Sequence, residues 1–192
     1  IGESGKLKSD KLVFFNNGAI LLANHFQQKF MEAAIEEAKL AMTINEVPIG
    51  AVVVYQDHII GRGHNPTEHY QHVSYHAEMM ALDEACTVMH SWRLPECDLY
   101  VTLEPCIMCS GAIINSRIDH LYFGASDPKA GAATSLYQLL DDHRLNHQVA
   151  VTSGVAGDEC SQLLKTFFRR VRQRKKAEKR ARRQGHYPAK EK

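Results

Sequence analysis

Residues 98–111 read "DLYVTLEPCIMCSG", a strand that turns into a helix across Glu104-Pro105. Asp98 to Leu103 has the aromatic and β-branched content of a strand. Pro105 stands at or near the first helical position, where its missing N–H costs nothing, and a short helix begins near Cys106. Cys106 and Cys109 are three apart, so both thiols leave the first turn in the same direction. A helix N-terminus carries partial positive charge and free N–H groups, which favours thiolates. Two thiolates so held are half of a zinc site.

Upstream, Phe26, Phe30, Ala34, Ala38 and Ala41/Met42 recur at helical spacing between His25 and about Ile44, and Pro48 ends the pattern. "IGAVVVY" and "HIIGRG" flank Gln56-Asp57 as a hairpin whose first strand is apolar enough for a sheet interior. A polar loop from Asn65 to Tyr75 leads into a second helix, His76 to His90. Downstream, "HLYFGA" reads as a strand and Asp127 to Ser135 as a Gly-containing loop. "LYQLL" (136–140) reads as a helical turn or two, and "HQVAVTSG" as a fifth strand. From Gly157, the spacing of Cys160, Leu163, Leu164, Phe167, Phe168 and Val171 predicts a long amphipathic helix that runs into the basic C-terminus. Helices alternating with strands predict an α/β fold with helices on both faces of one sheet.

No second C-x-x-C pair completes a closed metal site, because Cys86, Cys97 and Cys160 are isolated. Any further ligand is therefore nitrogen or oxygen. His76, in "YHAEMM", is the best third ligand, since it too starts a helix after a loop. Three protein ligands leave one position for water, the arrangement of a catalytic zinc. Glu78, two residues on, would reach that water and carry protons without binding the metal. Each motif alone has a plainer reading: H-x-E as a polar helix start, C-x-x-C as a redox pair. H-A-E followed within about thirty residues by P-C-x-x-C, each opening a helix, is specific for a zinc hydrolase.

The composition fits one compact domain: 192 residues, 44% hydrophobic, 23% charged. The net charge of +1 conceals an asymmetry. Residues 165–192 carry thirteen Lys/Arg against two Asp/Glu, whereas residues 1–164 carry ten against twenty. Phe167-Phe168-Arg169-Arg170 followed by "VRQRKKAEKRARR" combines aromatic and cationic side chains, suited to stacking on bases and neutralising phosphates. It also suits a helix whose aromatic residues end a core face. Five cysteines, an odd number without a disulfide framework, predict a reducing, cytoplasmic compartment. No apolar run approaches the ~20 residues that span a bilayer. Residues 1–24 read as a disordered or vector-derived appendage, with a short hairpin around Asn17-Gly18 preferred over a signal peptide. The domain is expected over 25–176 and a basic tail over 177–192.

H-x-E with P-C-x-x-C is the zinc deaminase signature. More closely, "VPIGAVVV", "GHN", "HAEMMAL", "SWRL", "LYVTLEPCIMCSGAI", "RIDHLYFGASDPKAGAATSL", "LNH" and "TFFRR" resemble the bacterial tRNA-specific adenosine deaminases. The resemblance covers roughly His25 to Lys176. It implies a cytidine-deaminase-like three-layer α/β/α sandwich with a mixed five-stranded sheet in the order 2-1-3-4-5, one Zn2+ per subunit, and a homodimer. The implied reaction converts the wobble adenosine of an arginine tRNA anticodon to inosine, so the partner is the tRNA anticodon stem-loop. By the same resemblance, Asn65 and the backbone of Ala77 hold the base, and Asp127, Lys129, Arg93, Asn146, Phe168 and Arg169 contact RNA. For Asn65 and the Asp127/Lys129 loop, ordinary turns are the plain alternative. "HVSYHAE" departs from the family's usual P-T-x-H-A-E, which leaves the ligands intact and the pocket entrance open. With eleven histidines, most, among them His69, His72 and His90, are expected to be non-ligands, and His69 and His72 read as exposed. Two other functions share the zinc and glutamate: a guanine or free nucleoside deaminase, and an inactive zinc-stabilised RNA-binding protein whose Glu78 only starts a helix.

Overall fold

A computed structural model of the protein describes residues 17–183, with side chains from residue 27 onward. Five strands form one mixed sheet: β1 (Gly50–Tyr55), β2 (His58–His64), β3 (Cys97–Leu103), β4 (His120–Ala125) and β5 (Ala150–Ser153). Their spatial order is β2-β1-β3-β4-β5, with β1 antiparallel to both neighbours and β3, β4 and β5 parallel. The order expected from the resemblance is therefore the order observed.

Period-2 alternation divides the strands between two cores. Ala51, Val53, Leu99, Val101, Leu121 and Phe123 face α3 (Ala77–Met89) and α4 (Ile107–Ser116). Val52, Val54, Tyr100 and Tyr122 face α1 (Asn17–Thr43) and α5 (Gly157–Arg183). Helices on both faces explain why β1 is buried along most of its length. The third layer needs glycine on the edge strand. A Cβ on Gly63 would lie 2.1 Å from the carbonyl oxygen of Ala77, and one on Gly61 would lie 2.2 Å from that of Ala81. Ala77, Ala81 and Ala85 are fully buried, so a stripe of small residues presses α3 onto β2. That contact fixes where the first turn of α3 stands.

Several expectations need correction. No hairpin forms at Asn17-Gly18, because both residues already lie in α1. The Ala and Leu content of residues 19–23 favours a helix. The boundary expected between residues 24 and 25 falls inside this helix, and residues 1–16 lie outside the described residues. Likewise α5 runs without a break from Gly157 to Arg183 across the expected boundary at 176, and residues 184–192 lie outside the described residues. "LYQLL" is not helical. Its backbone is taken up by non-helical bonds to the flanking loop segments, from Leu139 N–H to the Ala132 carbonyl and from Val149 N–H to the Leu140 carbonyl. Finally, Pro105 precedes α4 by two residues. Its carbonyl accepts from Ala132 N–H at 2.8 Å and Cys106 bridges to Gly131, which holds both residues extended.

Candidate active site

The site lies where β3 and β4 end, the usual binding edge of parallel strands. His76 and Cys106 both occupy N-cap positions, of α3 and α4, yet neither side chain caps its helix. Instead they turn to each other. Nδ1 of His76 lies 3.7 Å from Sγ of Cys106 and 3.4 Å from Sγ of Cys109. All three donor atoms lie within 4.8 Å of one another, the single such cluster of three or more among the described residues. A tetrahedral zinc with ordinary bond lengths would set nitrogen and sulfur about 3.6 Å apart, so the observed separations fit that ion. Nδ1 is the nitrogen that faces both sulfurs.

The three groups titrate together. The hydrogen bond from Cys109 draws the Cys106 thiol down to about 3 against the effect of burial, and His76 assists. The same bond, with burial, pushes Cys109 upward. His76 is raised, first by its bond to Cys106 and also by the charge of Glu78. Glu78 is almost fully buried, and desolvation pushes its carboxyl above the ordinary range, with the Cys109 thiol in hydrogen-bonding reach.

Asn65 follows β2 directly and is buried. Its side-chain nitrogen donates to Oε2 of Glu46 at 3.5 Å, and its oxygen faces the Thr67 hydroxyl at 3.3 Å. Glu46 also accepts from the His69 backbone N–H at 2.5 Å, so one buried carboxylate ties Asn65 to the single-turn helix α2 (Thr67–Tyr70). Sequence reading overlooked Glu46. The available signal was a lone acid in "NEVPIGAVVV", against an interior strand. Ala77 is buried at the start of α3.

Of the residues expected to touch RNA, Asp127, Lys129 and Phe168 line one groove with Val47, Ile49 and Leu103, about 430 Å³ in volume. Phe168 is 43% exposed there, whereas Phe167 turns toward Met42 of α1. Arg169 is exposed beside them. Arg93 sits apart, stacked on Trp92 at 4.6 Å, and Asn146 is exposed in the turn before β5; neither lines that groove. His69 and His72 are exposed as expected, with His72 stacked on Tyr75 at 4.1 Å, and His90 is exposed as well.

Comparison with known proteins places this geometry. Residues 24–172 match the model of the MafB19-like deaminases. A tRNA-specific adenosine deaminase of Bacillus subtilis is 51% identical over 148 residues, 77% of this chain and 92% of the relative. One of Haemophilus influenzae is 46% identical over 162 residues, 84% of this chain and 94% of the relative. Among solved structures, a protein from studies of A-to-I editing by tRNA:A34 deaminases at the wobble position is 44% identical, with a TM-score of 0.68 over 71% of this chain and 99% of its own. A guanine deaminase of Nitrosomonas europaea, 22% identical with a TM-score of 0.64 over 73% of this chain and 83% of its own, shares the fold alone. With this likeness spanning nearly the whole of its curated relatives, the chain belongs to the tRNA-specific adenosine deaminase family of deaminase enzymes.

Proposed function

We propose that this enzyme hydrolyses the wobble adenosine of a tRNA anticodon, of the arginine class, to inosine and ammonia. The observation that carries the reading is the convergence of His76, Cys106 and Cys109 beside buried Glu78, in a chain half identical to tRNA-specific adenosine deaminases. His76 Nδ1 and the two thiolates would hold one zinc ion per subunit. Such an ion supplies hydroxide at neutral pH by lowering the pKa of a bound water to about 7.

The protons are the work of Glu78. Its carboxylate takes one from the attacking water as the oxygen bonds to C6, and delivers it to N1 of the ring. Glu78 then carries the second proton from the new C6 hydroxyl to the exocyclic amine, and the C6–N6 bond breaks. Ammonia departs and a C6 carbonyl remains, so the balance is adenosine plus water to inosine plus ammonia. Asn65, held by Glu46, and the Ala77 backbone would orient the base. An adenosine inside a stem cannot reach this pocket, so the target is an extruded nucleotide of the anticodon loop. Asp127, Lys129, Phe168 and Arg169, with Arg93 and Asn146 further out, would hold the flanking nucleotides and phosphates.

Two further parts belong to the proposal. Val73 is 81% exposed, and Ile107, Leu136 and Tyr137 are about half exposed on segments next to the ligands. An apolar rim of that kind suits a second copy of the chain, hence a homodimer. Five free cysteines, two of them in the metal cluster, suit a reducing cytoplasm. No helix among the described residues is long and apolar enough to cross a membrane.

The test is incubation of the purified protein with an anticodon stem-loop bearing a wobble adenosine and, separately, with guanine, cytidine and adenosine. Inosine in the RNA supports the proposal. Ammonia released only from a free base or nucleoside would overturn it.

A further inference from the structure

Glu104 lies between the end of β3 and the metal-ligand turn, and is 3% exposed. Five donors close on its carboxylate. Oε1 accepts the backbone N–H groups of Thr134 and Ser135, each at 2.8 Å, and the Thr134 hydroxyl at 3.3 Å. Oε2 accepts the Asp127 N–H at 2.9 Å and the Ser135 hydroxyl. These donors come from the two ends of one loop, 127–135. Between them, Oδ1 of Asp127 accepts the N–H groups of Lys129 at 2.9 Å and Ala130 at 3.2 Å. A Cβ on Gly131 would sit 2.4 Å from the carboxyl carbon, so the loop folds tightly over Glu104.

We propose that Glu104 is a positioning residue, a strap that closes the 127–135 loop in the one shape that presents Asp127 and Lys129 to the RNA. The proposal rests on the RNA substrate argued above. Burying a carboxylate is costly, and a neutral side chain of similar size would pack in its place. What a neutral side chain lacks is two acceptor oxygens. In glutamine one oxygen becomes an NH2, which faces either the Asp127 N–H or the N–H groups of Thr134 and Ser135. The hydroxyls can rotate away and the backbone cannot, so either orientation sets donor against donor. The middle of the loop is pinned to the ligand turn by different bonds, from Ala132 N–H to the Pro105 carbonyl and across the Cys106–Gly131 bridge. Loss of the strap therefore frees the two ends of the loop, at Asp127 and at Thr134-Ser135, and leaves its middle on the metal-ligand turn.

Glu104→Gln, made in the full-length zinc-loaded protein, tests this in three ways. Amide hydrogen exchange without RNA should quicken at Asp127, Thr134 and Ser135 by roughly tenfold or more, while α3 keeps its protection. With the anticodon stem-loop, KM should rise roughly tenfold to a hundredfold, with kcat within about threefold and zinc content unchanged. Lys129→Ala should add little in the Glu104→Gln background, because its contact is already lost. Should that variant fold poorly, Ser135→Ala removes a single donor and should raise KM a few-fold. Unchanged exchange in the loop overturns the strap. So does a fall in kcat and zinc with KM constant, since Glu104 would then support the ligands, and so does full additivity with Lys129→Ala. If wild-type protein makes no inosine in RNA, the substrate reading fails and the exchange measurement alone decides the strap.

Discussion

The two ends of the sheet each hold a carboxyl pushed upward by burial, and only one end is a site. At the ligand end, Glu78 faces two thiols and an imidazole. At the other end, Asp98 lies near Asp57 and Asp119 beside the stacked rings of Tyr100 and Tyr122, 4.4 Å apart. Burial, aided by the charges of Asp119 and Asp57, raises Asp98 to about 6. A perturbed acid is therefore no guide to chemistry alone. What separates the ends is complementarity: donors and metal-binding atoms converge on one, while like charges gather at the other.

Four substitutions sharpen that contrast. Glu78→Gln keeps shape and removes the proton carrier, so kcat on the stem-loop should fall by roughly 10²–10⁴-fold while zinc is retained. A metal assay beside single-turnover kinetics decides it, and retained activity would contradict the assigned role. Gly63→Ala forces a methyl against the Ala77 carbonyl, and should cost about 1–3 kcal/mol in urea unfolding through overpacking. It should lower activity as well, since α3 carries His76 and Glu78 at its start.

Asp98→Asn should have the opposite sign. The folded-state pKa is about 6, above the ordinary value near 3.9, so the folded protein binds the extra proton between those values. Wild-type stability from this group is therefore greatest below about pH 4 and is lost as pH rises through about 6. The variant should gain about 1 kcal/mol at pH 7, allowing for solvent screening. The gain should vanish near pH 4, with deamination unaffected; loss of activity would make the far end functional after all. Smallest is Lys129→Ala, which should weaken RNA binding a few-fold and lower the salt-dependence slope by about one, measured by anisotropy titration at several salt concentrations.

Much of this was legible. The burial of the sheet on both faces was legible in the unbroken apolar run of "IGAVVVY" and in the alternation of helices with strands, and the spacing of His76, Cys106 and Cys109 implied a shared metal before any coordinate. Glu46 and Glu104 were not legible as binding residues. Their partners lie 23 to 31 residues away at His69, Asp127, Thr134 and Ser135, and a lone acid beside a strand carries no periodic signal. "LYQLL" misled for a related reason: its composition suits helical i to i−4 bonds, but its backbone bonds instead to the flanking loop at Ala132 and Val149.

Residue types and spacing alone pointed to the layered fold and to His76, Cys106 and Cys109 as one cluster, because periodic burial and motif chemistry are local properties of a chain. Tertiary structure decided which face each ligand presents. His76 and Cys106 hold capping positions in sequence; the approach of α3 to β2 across two glycines sets the first, the bridge of Cys106 to Gly131 sets the second, and together they turn both side chains from their own helices toward each other.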